Sequence, residues 1–180
     1  MGYLELQLKL RRSGFTIVEL LIVIVVIGIL AAISIVAYNG IQNRANDTAV
    51  QSDLSNMARK IHLDAADRGE FIPGNSGSNS TTIVGFKFPV TKSAYLTGEG
   101  VSNFMYCRGD DASGEQVFRI YGRSKSGTTF VYDSGVGCYD IGGNAIALGE
   151  TMSACSGLTD ARYSYGYYGS QDRWWDWTNG

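Results

Sequence analysis

The chain has 180 residues, of which 44% are apolar and 18% charged, and its formal net charge is −2. These values exclude wholesale disorder, and they show no basic excess of the kind that nucleic-acid-binding proteins carry. The length allows one compact domain together with a long non-globular element, and the 23 Gly against 2 Pro favour a turn-rich β domain over a helical bundle.

The first 14 residues are basic, with Lys9, Arg11 and Arg12 against a single acid, Glu5. A short basic segment directly before an apolar run is typical of a targeting segment whose basic end stays in the cytoplasm. We therefore predict that residues 1–14 form a cytoplasmic leader.

An apolar run follows from Phe15 to Tyr38. A helix of about 24 residues is about 36 Å long, which is enough to cross a hydrocarbon core of about 30 Å. On hydropathy alone, a plain transmembrane anchor and the core of a secretory signal peptide both remain open. The small residues Ala32 and Ser34 would even suit a signal peptidase.

One acid, Glu19, lies inside this run and argues for a more specific role. It would cost about 2.5–3.5 kcal/mol to insert into a bilayer, and neither a plain anchor nor a signal peptide has a use for it. Cleavage between Gly14 and Phe15 would create a cationic partner, the α-amino group of Phe15. Glu19 would then lie in the first helical turn, where a carboxylate suits the helix dipole. Between two chains, it would pair with the neighbour's amine and set the axial register.

The junction from Arg11 to Leu20 reads Arg-Arg-Ser-Gly-Phe-Thr-Ile-Val-Glu-Leu. It resembles the class III prepilin leader of type IV pilins, pseudopilins and competence pilins. The resemblance continues through Gly28–Ile33 to Tyr38, and it covers roughly residues 9–60.

The resemblance implies that a membrane prepilin peptidase cuts after Gly14 and that the same enzyme methylates the amine of Phe15. It implies that Glu19 serves assembly and that residues 15–38 form a transmembrane helix that becomes the filament core. The implied partners are further copies of the chain, other pilins, an assembly platform with its ATPase, and the membrane. The implied location is a single pass through the inner, cytoplasmic membrane with an extracytoplasmic head, followed by an extracellular pilus after assembly.

The chain departs from the family at Val36, where the family often has Pro. Pro in a helix interior removes a hydrogen bond and kinks the helix, so Val36 predicts a straighter free helix. Gly28 remains a weak point of about 1 kcal/mol relative to Ala.

The sequence of residues 39–69 predicts an amphipathic helical stem. Its apolar residues recur at steps of mostly three and four and form one stripe: Ile41, Ala45, Ala49, Val50, Leu54, Met57, Ala58, Ile61 and Ala65. Gly40 is the one weak position before the end. We therefore predict a single helix from about Phe15 to Arg68, with Gly69 as its stop.

The sequence of residues 70–180 predicts a globular β-rich head with an aromatic C-terminal tail. The fold class is thus α+β, with a long N-terminal helix packed on a small antiparallel sheet. After a polar loop at 74–82, three runs have strand character and are separated by Gly-containing turns: Val101–Cys107, Gln116–Tyr121 and Thr128–Tyr132. They predict a three-stranded meander, to which Ile83–Phe88 adds an edge strand that ends near Pro89.

Three cysteines lie in the head, where an extracytoplasmic location permits a disulfide. They are Cys107, Cys138 and Cys155, and their odd number leaves at least one thiol unpaired or intermolecular. A Cys138–Cys155 bond would tie down the C-terminal part. Cys107–Cys138 is the rival, because both residues should lie at one end of the meander. These two pairings and the absence of any disulfide stay open.

The tail alternates Tyr163, Tyr165 and Tyr167 and then carries an aromatic cluster at 174–177. Alternation predicts that the three Tyr face one side of a strand. We favour packing of these aromatics over the sheet or in a subunit interface, with an exposed adhesive surface as the alternative. Nucleic-acid capture is the weakest interpretation, because little positive charge lies nearby.

The chain carries no recognisable catalytic motif. His62 fits no zinc pattern, and Asp110, Asp111 and Glu115 are better explained as a turn than as a calcium loop. There is no phosphate loop and no nucleophile elbow. We therefore predict neither enzymatic activity nor a cofactor or metal site.

The sequence thus predicts a structural subunit of a type IV pilus, major or minor, for surface functions such as adhesion, motility or DNA uptake. One alternative is a pseudopilin of a type II secretion or competence system. Others are a membrane-anchored extracellular binding protein that does not polymerise and a secreted enzyme behind a signal peptide.

Overall fold

The structure is a computed structural model that describes residues 14–72, 86–98, 102–142, 155–168 and 173–179. It divides into two compact units, residues up to Gly40 and residues Ile41–Gly180, and each is described by itself. One helix, α1 (Ile17–Arg68), contributes residues to both units. The polar loop at 74–82 lies outside the described residues.

The ends of α1 follow from its terminal residues. It begins after Thr16, two residues later than Phe15, where the sequence predicted the start. It ends at Arg68, directly before Gly69, whose φ of +81° is the left-handed conformation that closes many helices. The Gly69 N–H donates to the Ala65 carbonyl at 2.8 Å, and the predicted stop is confirmed.

The buried face of α1 begins near its middle. The residues it buries are Val50, Asp53, Leu54, Met57, Ala58 and Ile61. The predicted stripe is confirmed from Val50 to Ile61, with Ala49 and Ala65 half-buried, but Ile41 and Ala45 are exposed. These two positions were wrongly included, because the apolar core that covers the stem begins at Ala49.

The described residues of the head contain a six-stranded antiparallel sheet. Its strands are β1 (Phe104–Asp110), β2 (Gln116–Arg123), β3 (Thr129–Asp133), β4 (Gly137–Asp140), β5 (Thr159–Tyr168) and β6 (Arg173–Trp174). The spatial order is β4-β3-β2-β1-β5-β6. The predicted meander is confirmed as β1, β2 and β3, and the sheet is extended at both edges. Of the proposed edge strand Ile83–Phe88, only residues 86–88 are described, and they are not in a strand.

Each face of the sheet is covered by a separate cluster. On the face that packs against α1, apolar side chains of the sheet meet those of the helix, among them Phe104, Tyr106, Phe118, Ile120 and Phe130. On the opposite face lie Met105, Cys107, Tyr121, Val131, Cys155 and Tyr165. The period-2 alternation along β1 and β2 therefore fills both faces, which explains why these strands contain so few exposed residues.

The tyrosines of β5 do not all face one side. Tyr165 pairs with Met105 and Tyr167 with Phe104, so Gly166 is an extra residue in β5. This bulge reverses the alternation and places Tyr167 in the helix-side cluster while Tyr165 stays on the other face. A Cβ at Gly166 would lie 2.1 Å from Phe104 Cδ1, so only glycine fits there.

The aromatic tail is packed rather than exposed. Trp177 is 2% exposed, and its indole N–H donates to the Tyr165 carbonyl at 2.7 Å. The Trp177 carbonyl accepts from the Phe88 N–H, also at 2.7 Å. Trp174 and Trp175 are partly buried against the two clusters. The tail therefore closes the core beside the segment that follows the loop.

The disulfide joins Cys107 to Cys155, with their Cα atoms 5.8 Å apart, and Cys138 is an exposed free thiol. Both predicted pairings of Cys138 are therefore wrong. Cys138 lies on β4 and Cys107 on β1, three strands away and about 14 Å at the usual strand spacing. A bond needs Cα atoms within about 7 Å. The meander prediction placed the two residues at one end of the sheet but ignored this sideways separation.

Asp53 is a buried carboxylate on the helix, only 8% exposed. Its Oδ2 accepts hydrogen bonds from the Thr91 N–H at 2.6 Å and the Tyr95 hydroxyl at 3.1 Å, and Oδ1 accepts from the Thr91 hydroxyl at 3.2 Å. Desolvation raises the pKa of Asp53 despite these donors. The carboxylate anchors the segment that contains the 3-10 turn Lys92–Ala94 to the helix.

We expect Asp53→Ala to lower the free energy of unfolding by about 2–3 kcal/mol, because the Thr91 N–H and the Tyr95 hydroxyl lose their buried acceptor. Asp53→Asn keeps the volume and one acceptor oxygen, so its loss should be smaller. Denaturant unfolding of the detergent-solubilised chain, followed by near-UV circular dichroism, measures both.

The same variants test the raised pKa of Asp53. A carboxyl whose folded pKa lies above its unfolded value of 3.8 stabilises the fold most below that value. That contribution is lost as the pH rises through the folded pKa. The advantage of the wild type over Asp53→Asn should therefore be larger at about pH 3.5 than at about pH 7. An advantage that grows toward neutral pH would contradict the assignment.

Candidate functional site at the start of the helix

The predicted cleavage point lies directly before α1. Gly14, Phe15 and Thr16 precede the helix and are in no regular secondary structure. Phe15 is 86% exposed, and Gly14 is exposed as well. The bond between Gly14 and Phe15 is therefore accessible in this chain. The predicted leader charges lie outside the described residues: Lys9, Arg11 and Arg12.

Thr16 and Glu19 cap the helix reciprocally. The Thr16 N–H and hydroxyl donate to Glu19 Oε2 at 2.8 and 2.7 Å. The Glu19 N–H donates to Thr16 Oγ1 at 3.2 Å. This is a capping box, in which the N-cap residue and the third helical residue satisfy each other's free N–H groups.

Thr16 is a functional residue that was not among the predicted site residues. The signal was present, because Thr16-Ile17-Val18-Glu19 has the Thr-x-x-Glu spacing of a capping box directly before an apolar run. Glu19 lies in the first turn of α1, as expected. In the single chain, its carboxylate is engaged by Thr16 through Oε2, and no donor among the described residues contacts Oε1.

The helix around this site is apolar and uncovered. Its large apolar side chains from Phe15 to Ile41 are between 48% and 87% exposed. Among the described residues, α1 is the one helix that has the length and composition to cross a membrane. It continues through Gly28, Val36 and Gly40 without interruption.

Nothing in the described structure requires glycine at position 14. An added Cβ would meet no atom within 4 Å. A requirement for glycine would therefore come from the enzyme that cuts the bond.

The other residues considered for chemistry are structural. His62 makes edge contacts with Phe71 and Phe118, at centroid distances of 5.6 and 5.1 Å. Asp111 Oδ1 accepts from Ser113 and from the Glu115 N–H, and these bonds lower the pKa of Asp111 and form a turn. Within the described part of the chain, no group of three or more His, Cys, Asp or Glu is placed to hold a metal ion.

This chain is similar to known proteins. Residues 9–35 match the family model of the prokaryotic N-terminal methylation motif. The type IV major fimbrial protein FimA of Dichelobacter nodosus is 40% identical over 75 residues, which are 40% of this chain and 48% of that protein. A fimbrial protein of Pseudomonas aeruginosa is 30% identical over 106 residues, which are 59% of this chain and 66% of that protein.

A third relative, the type IV major alpha-pilin of Moraxella bovis, is 46% identical over 55 residues, which are 31% of this chain and 33% of that protein. No solved structure matches the chain. The chain spans about half of FimA and about two thirds of the Pseudomonas protein. The motif, the named relatives and the long helix with its antiparallel sheet agree, and the chain belongs to the type IV pilin family.

Proposed function

We propose that this chain is a structural subunit of a type IV pilus, made as a precursor, cut after Gly14, and polymerised through its N-terminal helix. The observation that carries the proposal is the uncovered apolar surface that runs from Phe15, directly before α1, to Ile41. Such a surface is not stable in water and needs either lipid or the helices of other subunits around it. A chain that moves from membrane to filament uses both environments in turn.

Glu19 is the feature that separates a polymerising helix from a plain anchor. Cleavage releases the amine of Phe15 one residue before the Thr16 N–H, which Glu19 already binds at 2.8 Å. Consecutive Cα atoms are about 3.8 Å apart, so the new amine lies close to the carboxylate. Glu19 Oε1 is available for that amine or for the amine of a neighbouring subunit. In a low-dielectric bundle, such pairing fixes the axial register.

The remaining partners follow from this role. A prepilin peptidase cuts the Gly14–Phe15 bond and methylates the Phe15 amine. An assembly platform with its ATPase inserts the subunit beside other pilins. Before assembly, the leader faces the cytoplasm and the head lies outside the membrane. After assembly, the head is displayed on the extracellular filament.

The mature chain isolated from filaments should begin with N-methylated Phe15. Intact-mass and N-terminal peptide mass spectrometry measure both the cut and the methyl group. A mature terminus beyond Ala32 would contradict the proposal and indicate removal of a signal peptide instead.

Gly14→Val is the matched variant for this measurement. A Cβ added at Gly14 meets no atom within 4 Å, so the precursor should fold normally and accumulate uncut. A separate measurement distinguishes a surface pilus from a secretion pseudofilament. It is electron microscopy of the surface of cells that carry the wild-type chain, with the subunit identified by mass.

A further inference from the structure

We propose that the Thr16–Glu19 capping box positions the cleavage site, by fixing the start of the helix two residues after the Gly14–Phe15 bond. Thr16 is a positioning residue here, since it acts on the bond through the backbone conformation. The inference rests on the proposed function, because it assumes cleavage after Gly14.

The geometry places the boundary at Thr16. The first intrahelical hydrogen bond runs from the Leu20 N–H to the Thr16 carbonyl at 3.2 Å. The Thr16 hydroxyl accepts the Glu19 N–H at 3.2 Å, and the Glu19 carboxylate accepts the Thr16 N–H at 2.8 Å. These three bonds make Thr16 the N-cap and leave the Gly14–Phe15 bond outside the helix.

The position of the boundary matters for the chemistry. In the hydrolysis, a water molecule adds to the carbonyl carbon of Gly14. The C–N bond to Phe15 then breaks, which leaves a carboxylate on Gly14 and an amine on Phe15. If the helix began earlier, the Gly14 carbonyl would accept the N–H of Val18 four residues on, and the neighbouring turn would shield it. A bond outside the helix has neither obstacle.

The sequence supplies an alternative start that the capping box excludes. Ser13 is the nearest upstream residue of a good N-cap type. A helix capped by Ser13 would take Gly14 and Phe15 into its first turn. Its third helical position would then be Thr16, which cannot complete a capping box as Glu19 does. The reciprocal pair therefore favours the later start and keeps the bond free.

The test uses the full-length precursor in detergent micelles with purified prepilin peptidase, and it measures the initial cleavage rate by mass spectrometry. Thr16→Ser and Thr16→Asn keep a good N-cap and should be cut within about twofold of the wild-type rate. Thr16→Val keeps the branched shape but has no capping oxygen. It and Thr16→Ala should be cut about fivefold more slowly, in line with the value of an N-cap.

A second readout separates positioning from direct recognition of the side chain. Backbone chemical shifts of residues 14–19, in isotopically labelled full-length chain, report where the helix starts. The slow variants should show helical shifts at Gly14 and Phe15, and the fast variants should not. Slow cleavage with an unchanged helix start would overturn the inference, as would Thr16→Val cut as fast as wild type.

The two hypotheses fail in different ways. If wild-type precursor is not cut after Gly14, the proposed function is wrong. If wild type is cut there and the rates follow side-chain shape rather than capping ability, the proposed function stands and the capping inference is wrong.

Discussion

Glu19→Ala is expected to be cut after Gly14 still, at a rate lowered by no more than about fivefold, and to reduce filament yield by about tenfold or more. Cleavage should persist because the Thr16 hydroxyl still accepts the N–H of residue 19, a bond of 3.2 Å that does not use the carboxylate. Assembly should fail because the amine of Phe15 is left without its counter-charge in an apolar bundle. Breaking such a pair costs about 3–5 kcal/mol, and each 1.4 kcal/mol is about a factor of ten.

Glu19→Gln is the matched control for the charge. It keeps the shape of the side chain and an oxygen that can accept from Thr16, so the helix cap is preserved. It removes only the negative charge. If pairing with the amine drives assembly, Glu19→Gln should reduce the filament yield as Glu19→Ala does. The cut subunit should then be present in the membrane in equal amounts in the two variants.

The measurement compares sheared filaments with the membrane pool of the mature subunit, both quantified by mass. Normal filaments from Glu19→Gln would contradict the charge pairing and assign Glu19 to helix capping alone. Normal filaments from Glu19→Ala would remove Glu19 from assembly altogether and favour a helix that is held by apolar contacts.

The local features of this chain could be predicted from its sequence. The stop of α1 depends on one residue, Gly69, which adopts a left-handed φ. A glycine that directly follows a helical apolar pattern can be recognised in the sequence. The strands β1, β2 and β3 are separated by short turns, so their pairing follows from neighbouring residues alone. The N-terminal motif is a continuous segment, and its family could be identified for the same reason.

The features that the sequence did not predict depend on residues far apart in the chain. Asp53 lies outside the predicted apolar stripe of the stem, and it is buried because Thr91 and Tyr95 return to it, about 40 residues later. The bulge at Gly166 depends on contact with Phe104 on the neighbouring strand β1. Neither contact leaves a periodic signal, since each is fixed by the packing of the finished sheet.

Replacing the disulfide pair, Cys107→Ala with Cys155→Ala, is expected to lower the free energy of unfolding of the head by about 4 kcal/mol. The two cysteines are 48 residues apart. Their bond closes a long loop and restricts the unfolded chain accordingly. Both side chains are also buried, at 0% and 4% exposure, so the substitutions remove core contacts as well.

The single variant Cys138→Ala is the matched control. Its thiol is exposed and unbonded, so the substitution should change stability by less than about 0.5 kcal/mol. The free energy of unfolding of all variants is measured by denaturant unfolding of the oxidised, detergent-solubilised chain. Near-UV circular dichroism is the signal that monitors the unfolding. Peptide mapping without reduction should recover Cys107 linked to Cys155, and thiol titration of the native chain should find one reactive group.

The control also separates this pairing from the alternatives that involve Cys138. If Cys138 were bonded to either partner, Cys138→Ala would lose stability as the double variant does, and it would expose a new reactive thiol. The segment after Cys155 has a second attachment, because the Arg119 guanidinium donates to the Ser156 carbonyl at 2.9 Å and pairs with Asp133 at 2.7 Å. The double variant should therefore retain its fold at low denaturant concentration and lose stability without losing the sheet.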